Sequence, residues 1–150
     1  MLNPDFKDML SVFDEEEVEF LVVGAYAMAA HGAPRATGDL DFWIRPSKEN
    51  AERVIRALMR FGAPMDEIAI EDFVTRDLVF QIGIEPNRID LLTSIDGVDF
   101  GEAWQNRITA EVGGLAVPVL GLAELIQNKQ AVGRLRDLAD VEELKRLHPE

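Results

Sequence analysis

Apolar positions recur along the chain with two periods, and the change from one to the other marks out the elements. Over 5–13, Phe6, Met9, Leu10 and Phe13 fall at helical spacing. Over 18–23 a β-branched apolar run predicts a buried strand. Gly24 ends it, and the alanine-rich 25–31 predicts a short helix. Gly32, Pro34 and Gly38 then mark an irregular turn, and 40–44 predicts a second strand. A helix should follow Pro46, with Ser47 as N-cap, a stripe of Ala51, Val54, Ile55 and Leu58, and Gly62 as its stop.

Over 68–73 neither period holds. Leu78, Phe80, Ile82 and Ile84 then alternate with other residues, which predicts a strand. Glu85, Pro86 and Asn87 make a turn, and 88–94 should be its hairpin partner. Phe100–Gln105 reads as a short helix. Ile108–Val112 and Leu115–Val119 flank Gly113-Gly114, a two-residue hairpin turn. Helices over Leu122–Val132 and Leu135–Leu147 close the sequence. Strands, hairpins and helices interleaved in this way predict an α/β (α+β) fold. We expect one domain over 1–150.

Composition narrows the function classes. There is no cysteine, so disulfides, thiolate metal sites and a cysteine nucleophile are excluded. Acidic residues number 28 against 15 basic ones, a net charge of -13. Such a surface disfavours a broad duplex-DNA face, whose affinity comes from Lys and Arg on phosphates, but leaves room for a local basic site. No apolar run approaches the ~20 residues of a membrane helix, and the first ten residues lack a signal-like pattern, so we expect a cytoplasmic protein without a membrane partner. The acidic run 14–17 reads as a solvated turn.

The chemistry concentrates in 20–44. Asp39 and Asp41 lie two apart in a strand, so both carboxylates share one face while Leu40 and Phe42 point to the core. Most Asp-x-Asp pairs are simply solvated, but paired hard oxygens also suit Mg²⁺ bound together with substrate phosphates. Gly24 and Ala25, where the buried strand meets a helix, offer free backbone N–H groups to a phosphate. If the later strand lies beside the second one, Asp90 completes an acidic triad, with Ile89 and Leu91 inward and Arg88 on its own face. Such a triad can hold metal and supply a base.

Lys129 falls amid the stripe of Leu122, Leu125 and Ile126, while Arg134 and Asp137 share the face of Leu138, Val141 and Leu144. A buried salt-bridge cluster and one wall of a polar site are equally good readings. Arg35 and Thr37 either touch phosphate or brace the turn. His31 has no partner at metal-ligand spacing and reads as a helix-end residue; Trp43 and Trp104 read as core or cover.

Together, the apolar strand, Gly24-Ala25, His31-Gly32, Arg35, Thr37 and Asp39-Leu40-Asp41 resemble the DNA polymerase β-like nucleotidyltransferase superfamily. The likeness is closest to its minimal branch, which includes AbiEii-type toxin nucleotidyltransferases, and it extends to the last two helices, where that branch places a lysine and a later aspartate in the site. The resemblance implies a mixed-sheet core with helices packed around it, and Mg²⁺ or Mn²⁺ as cofactor. It implies an NTP donor and transfer of a nucleoside monophosphate to a hydroxyl of a protein or RNA end, with an antitoxin or a second copy as partner. Metal and catalytic roles would fall to Asp39, Asp41 and Asp90; nucleotide-binding roles to Gly24, Ala25, Arg35, Thr37, Lys129 and Asp137.

The sequence departs from the family at Ala25, where the family turn reads Gly-Ser or Gly-Gly and the serine hydroxyl contacts donor phosphate. That departure motivates a second reading, a degenerate module that binds a nucleotide or a partner without turnover. A third is an antitoxin-like structural partner that covers a basic protein with its acidic surface.

Overall fold

The strand β1 (Phe20–Val23) is the seam of the sheet. It pairs antiparallel with β2 (Asp39–Ile44) on one side and parallel with β6 (Leu115–Val119) on the other. All four of its residues are buried, which explains its unbroken apolar sequence. In the computed structural model, which describes residues 3–84 and 86–149, the sheet continues outward with β3 (Val79–Ile82), β4 (Arg88–Leu92) and β5 (Ile108–Val112). The order is β3-β4-β2-β1-β6-β5. The pairs β3/β4 and β5/β6 are the two antiparallel hairpins, and β2 and β4 run parallel.

Helices cover both faces. One face carries α1 (Pro4–Glu15) and α3 (Lys48–Phe61), where Phe13, Phe20 and Phe42 meet with ring centroids 4.9 to 5.3 Å apart. The other face buries Leu21, Val23 and Trp43 against residues of α4 (Phe100–Gln105), α5 (Leu122–Val132) and α6 (Leu135–Leu147). The short α2 (Gly24–Ala30) gives Ala27 to the first core and Met28 to the second. Among the described residues no helix is long and apolar enough to cross a membrane.

Local rules hold at most boundaries. Asn3 and Ser47 cap α1 and α3 through their side chains, and Gly62 ends α3 at φ 91° in the left-handed conformation. The first strand is two residues shorter at its start than expected, although Val18 is still buried. The stretch without clear period overlaps a 3₁₀ turn, Ile70–Val74, that buries Phe73. Glu85, in the expected turn between β3 and β4, lies outside the described residues.

Two expectations about inward faces fail. Ile84 falls beyond the end of β3 and is 81% exposed, so the alternation stops at Ile82. Leu138 is 43% exposed and is not part of the inward stripe of α6; Asp137 is, with Val141 and Leu144. These three are spaced i, i+4, i+7, and the carboxylate takes the inward place because cations meet it there.

Asn50 is a structural residue that its helical setting disguised. It is 1% exposed, accepts from the Glu19 backbone N–H at 2.7 Å, and donates to the carbonyls of Glu19 and Arg45 at 3.0 Å each. It thus ties the chain just before β1 to the chain just after β2. Asn50→Ala strands these partly buried backbone groups and should cost about 1–3 kcal/mol, read as a lower urea midpoint with an unchanged slope.

Candidate active site: a carboxylate triad beside an ion-paired wall

The parallel register of β2 and β4 builds the centre of the site. Asp41 is opposite Asp90, and Asp39 is opposite Arg88. Period-two alternation puts Leu40, Phe42, Ile89 and Leu91 into one core and leaves the three carboxylates on the other face. One oxygen from each of Asp39, Asp41 and Asp90 lies within 4.8 Å of the others. Thr37 braces the turn rather than standing free: its hydroxyl donates to Asp39 Oδ1 at 2.6 Å.

Gly24 closes the site from the β1 side, since Val23 is the register partner of Asp41. Its φ is 69°, and a Cβ there would stand 2.1 Å from Asp41 Oδ2. Both the conformation and the space demand glycine. Ala25 follows at the lip of the same cleft.

Three like charges in so small a space are costly. Burial pushes the Asp41 carboxyl up to about 7, and the neighbouring charges of Asp39 and Asp90 and a hydrogen bond with Asp90 add to the rise, while Arg88 opposes it. Arg88 lies across the other two: Nε donates to Asp90 Oδ1 at 3.0 Å and Nη2 to Asp39 Oδ2 at 2.9 Å. The donor set is entirely carboxylate oxygen, the kind Mg²⁺ or Mn²⁺ takes, and a cation would relieve the crowding that raises Asp41. These residues fit a divalent metal.

Facing the triad, α5 and α6 form a wall of paired charges. Lys129 reaches Asp140 at 2.9 Å and Asp137 at 3.5 Å, and Arg134 reaches Asp137 at 2.6 Å. Arg35, from the turn before β2, pairs with Asp140 at 2.8 Å and Glu143 at 2.5 Å. Asp137 is 2% exposed; its bond to Arg134, with help from Lys129, holds its carboxyl below the usual range against the effect of burial. Between wall and triad lies an open cleft of about 420 Å³ lined by Gly24, Ala25, Met28, Arg35, Asp39, Asp41, Lys129, Arg134, Arg136, Asp137 and Asp140. Both readings of the charged face of the last helices therefore hold: it is an ion-pair cluster and it walls a polar cleft.

No family model matches the sequence, and no curated protein matches it either. Solved structures do. A Thermotoga maritima protein described as a nucleotidyltransferase aligns over 97% of this chain and 94% of its own, with TM-score 0.61 and 17% identity. The lincosamide antibiotic adenylyltransferase LnuA, solved with lincomycin bound, aligns over 98% of both chains with TM-score 0.59 and 14% identity. ANT(2″)-Ia in complex with adenylyl-2″-tobramycin aligns over 94% of this chain and 86% of its own, with TM-score 0.58 and 16% identity. The chain has the nucleotidyltransferase fold.

Within that fold the structure brings together all the expected site residues: Asp39, Asp41 and Asp90 as a cluster, and Gly24, Ala25, Arg35, Lys129 and Asp137 around one cleft, with Thr37 held on Asp39. Asp140 was not anticipated, although it lies three residues beyond Asp137 and so on the same helix face. Tyr26, by contrast, packs at the edge of the core against Phe6, and burial, then the charge of Asp39, raises its phenol pKa. His31 is a buried helix-end residue bonded to the Leu120 carbonyl at 2.8 Å, well away from any ligand role.

Two outcomes follow from the crowding. Because the folded-state pKa of Asp41 lies above its unfolded value, its contribution to stability is complete below about pH 4 and is lost as pH rises through about 7. In chelator, the melting temperature should fall between pH 5 and pH 8, and Asp41→Asn should flatten that fall. Gly24→Ala should lower stability by about 1–3 kcal/mol. Adding Asp41→Ala should recover part of the loss in thermal melts, because it removes the carboxylate that the new methyl strikes.

Proposed function

We propose that the protein is a divalent-cation-dependent nucleotidyltransferase that moves a nucleoside monophosphate from an NTP to an acceptor hydroxyl. The observation that carries this reading is the convergence of Asp39, Asp41 and Asp90 on one face of β2 and β4, next to a glycine whose missing side chain leaves room for the Asp41 carboxylate.

Asp39 and Asp41, with Asp90, would hold Mg²⁺ or Mn²⁺, which when bound would supply charge neutralisation to the donor phosphates and the departing pyrophosphate. Asp90 would take the proton of the incoming hydroxyl. A bond then forms from that oxygen to the α-phosphorus, and the bond to the pyrophosphate oxygen breaks. The backbone N–H groups of Gly24 and Ala25 would support the donor phosphates from one side of the cleft. Lys129, Arg35 and Arg134 would do so from the other, sharing their charge with Asp137, Asp140 and Glu143. Positioning and charge, rather than covalent help, are what phosphoryl transfer needs most.

For the acceptor we favour a protein or an RNA end, within an AbiEii-type toxin context, with an antitoxin or a second copy as partner, in the cytoplasm. The structural neighbours include enzymes of antibiotic modification, so aminoglycosides and lincosamides belong in the acceptor panel. The second reading, a module that binds nucleotide without turnover, is favoured by Ala25, which keeps the backbone N–H and lacks the hydroxyl that a serine would offer.

The test is incubation with labelled NTPs and Mg²⁺, alone and with each acceptor class. Turnover is expected, and Asp41→Asn should reduce it at least about a hundredfold, the scale on which such electrostatic groups act. Nucleotide binding without product across the panel would favour the second reading; absence of nucleotide binding would remove both.

A further inference from the structure

Arg88 stands apart from the other cations near the cleft. Lys129, Arg35 and Arg134 are held by carboxylates of α6. Arg88 instead sets its guanidinium on the triad itself, through 2.9 Å to Asp39 Oδ2 and 3.0 and 3.3 Å to the two oxygens of Asp90. The contact is built into the sheet. Arg88 is the register partner of Asp39 across the parallel β2–β4 ladder and lies two residues before Asp90 on the same strand, so all three side chains emerge on one face. Its side chain is 28% exposed, and those of Asp39 and Asp90 are 20% and 10% exposed, so solvent screens these contacts only in part.

We infer that Arg88 is an internal counter-ion of the triad, a positioning residue that makes divalent-cation binding depend on the nucleotide. The inference rests on the reading of Asp39, Asp41 and Asp90 as a cation site. The guanidinium occupies oxygens of two of the three carboxylates that would hold a cation, so a free cation entering alone meets both competition for ligands and a like charge a few ångström away. A nucleotide's phosphates bring added negative charge and further oxygen ligands, which offset that like charge. The metal then arrives as the metal–nucleotide complex rather than ahead of it. Arg88 also keeps Asp90 fixed against Asp39, so the proposed base is in place before the donor enters.

The probe is Mn²⁺ binding, followed by electron paramagnetic resonance, with and without a non-hydrolysable NTP. The wild type should bind Mn²⁺ weakly alone and markedly more tightly with the nucleotide analogue. Arg88→Gln removes the charge and should tighten Mn²⁺ binding without nucleotide by about tenfold or more, a modest fraction of what Coulomb's law allows at this range. It should also shrink the dependence on nucleotide. Arg88→Lys keeps the charge but cannot bridge two carboxylates; its affinity should lie between the two, and this variant decides the matter if Arg88→Gln does not fold. Unchanged Mn²⁺ affinity in both variants would overturn the counter-ion role while leaving the cation site intact. Failure of wild type and variants alike to bind Mn²⁺ with nucleotide would overturn the cation reading itself, and this inference with it.

Discussion

Electrostatic repulsion among three carboxylates is the constraint around which the site is arranged. Asp39, Asp41 and Asp90 offer oxygens within 4.8 Å of one another on a largely buried sheet face. Water screens such charges poorly there. The fold answers in three ways at once. Asp41 tends to keep a proton, Arg88 lies across Asp39 and Asp90, and Gly24 gives the Asp41 carboxylate space that any other residue would fill. Each of these arrangements eases the cluster, and none removes its demand for positive charge. That residual demand is what fits the cluster to a divalent cation.

The opposite wall works by the reverse principle. There each carboxylate meets a cation: Asp140 and Asp137 take Lys129, Asp137 takes Arg134, and Asp140 and Glu143 take Arg35 from the turn before β2. Such pairs bring little net stability when replaced as a set, but losing one partner leaves a buried charge exposed to a poor environment. Their value is geometric. Arg35 belongs to the turn that leads into β2, so its bonds to α6 tie the loop carrying Thr37 to the last helix. The triad and the wall are therefore held at a fixed separation by a charged strut rather than by packing alone.

Most of the architecture was legible because the local signals agreed with the tertiary outcome. The hairpin at Gly113-Gly114, α4 and both final helices follow the boundaries that turn chemistry and period imply. Asp39 and Asp41 could be assigned to one face because strand geometry leaves no choice. That Asp90 joins them is a matter of strand order, and sequence alone could state it only as a condition. The misses have one physical cause: a polar residue can be buried when its partners are remote in sequence. Nothing in the helical pattern marked Asn50 as buried, and Asp140 was overlooked because its cation partners, Arg35 and Lys129, lie on other elements.

The parallel pairing of β2 with β4 also has a consequence in time. Parallel neighbours cannot be joined by a tight turn, and here α3 and the β3 strand intervene between them. The β1 seam likewise waits for β6, which emerges much later in the chain. These are non-local contacts, whose loop-closure entropy must be met before they stabilise anything. On the ribosome, Asp39 and Asp41 leave the tunnel long before the strand that supplies Asp90, and longer still before the helices that carry Lys129 and Asp137. A nascent chain thus holds the acidic pair without the rest of the cleft, and the complete constellation forms only after α6 has emerged.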